Sequence, residues 1–332
     1  MENRVEAIDC AVSDFEPPDG GSSDLKGEVV GRFAPSPTGR MHAGNIFAAL
    51  VAWLIAKSQD GDIVLRIEDL DRERSKQAYI DDVQRDFERL GLTWDFGPYY
   101  QHDRDEAYQA AFDELKSRGL VYPCFCSRAD LHAASAPHRG EKFVYPGTCR
   151  HLDAAQIADK QRLKQPAYRL AVPDETYFFV DAIQGECSQN LATECGDFLI
   201  KRSDGAFAYQ LAVVVDDAAQ GVNFVTRGVD LLSSTPQQIY LHKMLGLPTC
   251  DYAHIPLLVS QQDRRLSKRD KDASIDALMD TYGSASAVIG HIAYVAGMVE
   301  SDEPATPQEL LRCFDLRKLS QKWSGEIQML WH

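Results

Sequence analysis

GRFAPSPTGRMHAGN, residues 31–45, places two prolines, three glycines and a histidine where an apolar strand must turn into a helix. Val29 to Ala34 reads as a strand, and Ile46, Leu50, Trp53 and Leu54 recur at helical spacing, predicting a helix over 43–57. Pro35 and Pro37 fix their own φ and bias Ala34 and Ser36 away from the helical region, so the chain leaves the strand extended and stiff. Gly39 and Gly44 carry no side chain where a ligand has to approach the backbone. A helix starting near Ala43 offers unpaired N–H groups and the positive end of its dipole, a seat for phosphate with His42 beside it.

Outward from this stretch, a strand is predicted at 63–67 and amphipathic helices at 75–90 and 104–118, each stopped by a glycine, Gly91 and Gly119. Strand, helix, strand, helix in this order implies parallel strands with right-handed crossovers, the start of a doubly wound α/β sheet. From about 120 to 200 the chain becomes polar and Cys-bearing, with short strands at 168–172, 177–183 and 198–201, and reads as an insertion. The sheet resumes with a strand over 207–215, rich in β-branched residues and apolar enough to be buried on both faces. A helix at 236–245 and a strand at 255–259 follow, then short helices at 274–279, 285–299 and 307–314.

The chain of 332 residues carries a net charge of −15, which argues against coating nucleic acid by bulk attraction but not against a local basic groove. Residues 1–28 hold eight acids against two bases, six of those net charges, and read as a disordered acidic extension. No apolar run is long enough to span a bilayer and no basic-then-apolar secretory signal opens the chain, so a soluble cytoplasmic protein is expected. Eight cysteines without such a signal point to thiols or metal ligands rather than disulfides. Cys10, Cys187, Cys195, Cys250 and Cys313 show no ligand spacing and are expected as buried small hydrophobes. Cys124-Phe-Cys126 and Cys149 can bind zinc or pack as free thiols; Tyr145, His132, His138 and His151 are the available fourth ligands.

A lone His-x-Gly turn or a lone basic loop such as DRRLSKRDK, 263–271, carries little. Together they resemble the two signature sequences of class I aminoacyl-tRNA synthetases. RFAPSPTGRMHAGN, RIEDLDRERS (66–75), YQLAVVVDD (209–217), VTRGVDLLSSTPQQIYLHKMLG (225–246) and RRLSKRD (264–270) resemble glutamyl-tRNA synthetase segments in the same order, across residues 29–275. Asn45 replaces a second His, Arg265 replaces the first Lys of the second signature, and Val213 stands where that branch typically has Asn, implying a changed contact around the amino acid or ATP.

The resemblance implies a Rossmann-type doubly wound sheet with an α+β acceptor-end insertion and a short helical C-terminal part. Its divisions are 1–28, the extension; 29–119 and 201–272, the two halves of the catalytic domain; 120–200, the insertion; and 273–332, the C-terminal part. Only about sixty residues follow the Ser-Lys loop, so no anticodon-binding domain is expected, as in the glutamyl-Q tRNA(Asp) synthetases, which attach glutamate to the queuosine of tRNA(Asp). That family also implies one zinc ion on Cys124, Cys126, Tyr145 and Cys149. The implied chemistry is activation of L-glutamate by Mg-ATP, then transfer to RNA, by a monomer. His42 and Lys268 would stabilise the phosphoryl charge, with Gly44, Asn45 and Ser267 also at ATP. Arg32 and Arg227 would face the carboxylates, Glu68 the ammonium, and Tyr209, Ala34 and Ser36 the rest of glutamate. The rivals are an enzyme charging a tRNA 3′ end, a silent tRNA-binding paralogue, and adenylyl transfer to a small cofactor.

Overall fold

The computed structural model describes residues 29–127, 130, 144–260, 274–326 and 328–331. The acidic segment 1–28 and the loop 261–273, with Ser267 and Lys268, lie outside the described residues, as do His132 and His138.

In chain order, β1 (Val30–Phe33), α1 (Ala43–Lys57), β2 (Asp62–Ile67), α2 (Gln77–Arg89), β3 (Phe96–Tyr100) and α3 (Asp105–Ser117) make the first half. The three strands are parallel, β1-β2-β3, and α1 and α2 are the crossovers. Gly91 and Gly119 end α2 and α3 in the left-handed region, φ 71° and 70°.

Next come β4 (Val121–Cys124), α4 (Ala154–Leu163), β5 (Ala167–Leu170), β6 (Thr176–Asp181), β7 (Gly185–Asn190) and β8 (Phe198–Lys201). Strands β4, β5 and β8 form a separate antiparallel sheet. The hairpin of β6 and β7, in contrast, joins the catalytic sheet: β6 runs parallel to β10 (Asp251–Ile255), which is parallel to β9 (Phe224–Gly228). The stretch 120–200 therefore contributes to two sheets.

The strand expected over 207–215 is a helix. α5 (Tyr209–Ala219) carries that run, with every residue from Leu211 to Asp217 buried. A continuously apolar segment has no period, so β-branched content favours the wrong element when tertiary burial surrounds a helix on all sides. The next strand is β9, followed by α6 (Thr235–Leu245). The single strand expected at 255–259 is divided between β10 and β11 (Leu257–Ser260), and Pro256 separates them.

The C-terminal part is α7 (Ile275–Tyr282), α8 (Ala285–Val295), α9 (Pro307–Leu311), α10 (Leu316–Trp323) and β12 (Gln328–Trp331). Strands β3, β4, β7, β9 and β12 escaped the sequence reading; β12 pairs in parallel with β11. These helices share one core with α1, which is buried around most of its circumference: Trp323 is fully buried, stacks edge-on against Phe47 at 5.5 Å and donates Nε1–H to Ala296 O at 2.9 Å. Truncating a member of that core such as Leu50, 0% exposed, costs about 2–5 kcal/mol.

The two halves meet at a seam. Val30 N–H donates to Asn223 Oδ1 at 2.8 Å and Asn223 N–H to Val30 O at 3.1 Å, which sets β1 beside β9. This reversal of strand order opens a crevice beyond the carboxyl ends of β1 and β9, the usual ligand position in such sheets.

Candidate active site

The crevice is a cavity of about 440 Å³ lined by Arg32, Ala34, Ser36, His42, Gly44, Asn45, Glu68, Tyr209 and Arg227, together with apolar residues such as Met41, Phe87 and Leu257. It gathers all the sequence-predicted amino-acid and nucleotide residues that fall among the described ones.

The proline loop is pinned from behind. Glu68 N–H donates to Pro35 O at 3.0 Å and Lys76 N–H to Pro37 O at 3.4 Å, so the turn after β1 positions the backbone of Glu68. His42 is itself the N-cap of α1: Nδ1 accepts from Gly44 N–H at 3.2 Å, and His42 N–H donates to Asn45 Oδ1 at 3.1 Å. An imidazole that accepts at Nδ1 carries its proton on Nε2 when neutral, and so has a donor to offer elsewhere. Gly44 serves this ring: a Cβ there would lie 3.1 Å from His42 Cε1. Ser274, the first described residue after the Ser-Lys loop, bridges to His42.

Below the pocket, Arg66 is fully buried among three carboxylates, Asp217 at 2.7 Å, Glu68 at 3.3 Å and Asp216 at 3.9 Å. Asp216 also accepts from Arg104, Gln101 and Tyr108. Arg32 donates to Thr226 O at 2.8 Å and lies 3.8 Å from Asp217. Burial raises the Glu68 carboxyl above its ordinary value, and the nearby Arg66 and Arg32 only partly offset this. Burial, and then Glu68, also raise the Tyr209 phenol, which stays a neutral donor.

Arg227 is held differently. Its Nε donates to His254 Nε2 at 3.0 Å, Nη1 to Gln238 Oε1 at 2.8 Å and Nη2 to Thr235 Oγ1 at 2.8 Å. All three partners are uncharged acceptors when His254 is neutral. Thr235 and Gln238 lay within a quoted motif, but nothing in the sequence signalled His254. Val213 is 2% exposed in the core and does not line the cavity; the expected change of contact at the ligand is corrected to a packing position.

A second cluster lies on β4 and the following loop. The sulfurs of Cys124, Cys126 and Cys149 lie within 4.8 Å of one another, with Cys126 and Cys149 3.6 Å apart. Tyr145 Oη is 3.5 Å from both Cys124 and Cys126, while His151 is exposed. Tetrahedral bonds of about 2.3 Å place thiolates about 3.8 Å apart, so the donor set fits a zinc ion. Arg169 Nε donates to Cys124 Sγ at 3.3 Å and its guanidinium covers the Tyr145 ring at 3.7 Å, a cationic neighbour suited to thiolate and phenolate. Of the other described cysteines only Cys250 is buried; Cys187 and Cys195 are half-buried and Cys313 is exposed, against expectation.

The model of the class I tRNA synthetases (E and Q), catalytic domain, matches residues 28–329. A glutamyl-Q tRNA(Asp) synthetase of Symbiobacterium thermophilum is 44% identical over 307 residues, covering 89% of this chain and 94% of its own. One of Geobacter sulfurreducens is 47% identical over 256 residues, covering 76% and 79%. The chain belongs to the glutamyl-Q tRNA(Asp) synthetase family. Its solved relatives include a glutamate tRNA ligase of Elizabethkingia meningosepticum in complex with its amino acid, TM-score 0.74 at 26% identity, covering 88% of this chain and 65% of that one. The chain thus spans slightly less than two thirds of that ligase. The glutamate-tRNA synthetase of Elizabethkingia anophelis, at 24% identity and TM-score 0.77, covering 92% of this chain and 68% of that one, shares the fold. As a glutamyl-Q tRNA(Asp) synthetase family member the chain is a class I ligase, a family whose partners are an amino acid, ATP and tRNA.

Proposed function

We propose that the chain activates L-glutamate with Mg-ATP and transfers it to the queuosine base of tRNA(Asp). The observation that carries this reading is the composition of one cavity: two buried arginines, a carboxylate, a phenol and the His42-capped start of α1. Glutamate brings two carboxylates and one ammonium, and the cavity holds the complementary charges.

In this reading Arg32 and Arg227 receive the carboxylates, Glu68 the ammonium, and Tyr209, Ala34 and Ser36 complete the rim. The α-carboxylate attacks the α-phosphorus and pyrophosphate leaves. His42 donates from Nε2 to the phosphoryl oxygens as charge builds, helped by Gly44 and Asn45 at the helix start and by Ser267 and Lys268 of the loop. A hydroxyl of queuosine then attacks the acyl carbon and AMP leaves. A zinc ion held by Cys124, Cys126, Tyr145 and Cys149 would tie β4 to the loop and fix the sheet of β4, β5 and β8 as an acceptor-facing module, while the rest of 120–200, the hairpin of β6 and β7, belongs with the catalytic halves at 29–119 and 201–272. No helix among the described residues is long and apolar enough to cross a membrane. The reading takes the chain as a cytoplasmic monomer.

The test is charging with labelled glutamate, ATP and separate tRNA(Asp) and tRNA(Glu). Charging of tRNA(Asp) should survive enzymatic removal of the 3′-terminal adenosine, which spares the diol of queuosine, and vanish when the tRNA lacks queuosine. Equal charging of queuosine-free tRNA(Asp), or periodate-sensitive charging of tRNA(Glu), would overturn the reading.

A further inference from the structure

Asp181, His254 and Arg227 stand in a row across three neighbouring parallel strands, β6, β10 and β9. His254 and Arg227 are register partners, and Asp181 at the end of β6 pairs with Tyr252, two residues before His254. Asp181 Oδ2 lies 2.5 Å from His254 Nδ1 and Oδ1 accepts the His254 backbone N–H at 3.1 Å; both side chains are 0% exposed. On the other side of the ring, Nε2 faces Arg227 Nε at 3.0 Å and Thr235 Oγ1 at 3.3 Å.

We propose that Asp181 and His254 are positioning residues for selection of glutamate: Asp181 holds the proton on His254 Nδ1, Nε2 accepts from Arg227, and the guanidinium enters the cavity with its charge uncompensated. This rests on reading the cavity as a glutamate site.

Geometry supports the assignment of the proton. An ionised Asp181 only accepts, so Nδ1 must donate, and a neutral ring then has nothing but a lone pair at Nε2. Arg227 Nε–H requires such an acceptor. Burial first, and then Arg227, hold the imidazole below its ordinary value despite the pull of Asp181. Burial disfavours ionisation of Asp181, but its bonds to His254 and to backbone N–H groups outweigh it and lower the carboxyl.

The contrast with Arg66 shows what a neutral holder achieves. Three carboxylates surround Arg66, so its charge is answered inside the protein. Among the described residues no carboxylate lies within ion-pair distance of Arg227; its three bonds are to imidazole, amide and hydroxyl. A carboxylate at position 254 would grip Arg227 equally well and cancel its charge. With the imidazole there, a substrate carboxylate completes the pair, whereas the amide of glutamine leaves a buried cation unpaired.

Asp181→Asn tests the row. The amide N–H would face Nδ1, shift the ring proton to Nε2 and set two N–H groups against each other at Arg227. His254→Gln is the rescue, because its amide donates to Asp181 and its carbonyl accepts from Arg227. Glutamate-dependent ATP–pyrophosphate exchange is measured with and without tRNA(Asp), beside thermal melts. Asp181→Asn is expected to raise KM for glutamate about tenfold or more, the cost of a lost bond to a charged group. KM for ATP should hold within about twofold while discrimination against glutamine falls, and His254→Gln should stay within about threefold of wild type. An unchanged glutamate KM in Asp181→Asn, a parallel rise for glutamate and ATP, or a well-folded His254→Gln as impaired as Asp181→Asn would overturn the row alone. Wild-type protein without glutamate-dependent exchange would overturn the site reading and the row with it.

Discussion

Arg66 Nη1 lies 2.7 Å from Asp217 Oδ1, with the arginine side chain fully buried, and the same guanidinium reaches Glu68 at 3.3 Å. Asp217 therefore anchors the arginine that flanks Glu68, the carboxylate proposed to receive the substrate ammonium. Asp217→Asn strips the nearest of its three counter-charges and is expected to cost about 3–5 kcal/mol. Urea unfolding measures this; a loss below about 1 kcal/mol, the range of surface pairs, would show that Asp216 and Glu68 suffice.

In the proposed function Glu68 sets an acid limit on glutamate binding. Burial raises its carboxyl above 4.5, against Arg66 and Arg32. With the substrate ammonium on the ionised form, as proposed, glutamate affinity is expected to be complete above that raised value and lost as pH falls through it. Glu68→Gln should lower kcat/KM for glutamate about tenfold or more at neutral pH and flatten the acid limb of the profile.

His42 caps α1, and the proposed function gives it a chemical duty that mutation can separate from the cap. Asn is a preferred N-cap, so His42→Asn should keep the melting temperature but remove the Nε2 donor and lower the exchange rate about 10²–10³-fold. His42→Ala should lose the cap as well, about 1 kcal/mol of stability. An active His42→Asn enzyme would assign the ring to capping alone.

The thiol cluster gives a direct metal prediction. Purified wild type should carry about one zinc per chain by elemental analysis, the stoichiometry of one four-ligand site, and Cys149→Ser should lose it. Chelation should lower the wild-type melting temperature and leave that of Cys149→Ser unaltered.

Asp86 links stability to pH with a defined sign. Burial raises its carboxyl from 3.8 to about 6, with Asp276 adding and Arg85 and Arg89 opposing. The folded state therefore holds the proton more tightly, and stability falls as pH rises from about 4 to about 6. Asp86→Asn should raise the melting temperature by a few degrees at pH 8 and leave it nearly unchanged at pH 4.

Much of the site was legible because its residues cluster in short motifs. The turn 31–45 announced its strand, its rigid exit and its helix, since Pro and Gly act locally. Cys124, Cys126, Tyr145 and Cys149 likewise fall within 25 positions, and they meet in space. The role of Gly44 was legible only in part: its missing side chain admits the ring of His42.

Other features left no local trace. Leu211 to Asp217 is buried on every side, so its periodicity vanished and its β-branched valines suggested a strand. Asp216 and Asp217 inside that run are there for Arg66, Arg104 and Arg32, a constraint set by residues more than a hundred positions away.

The sequence by itself determined the α/β class, the parallel first half and the chemical inventory of the cavity, because these follow from local conformational preference and side-chain type. Tertiary structure alone decided how that inventory is charged. Asp181 and His254 are 73 positions apart and His254 and Arg227 are 27 apart. Only the packing of β6, β10 and β9 into one sheet sets the acid against the imidazole and the imidazole against the arginine. The state of Arg227 is therefore a property of strand register, which no single segment encodes.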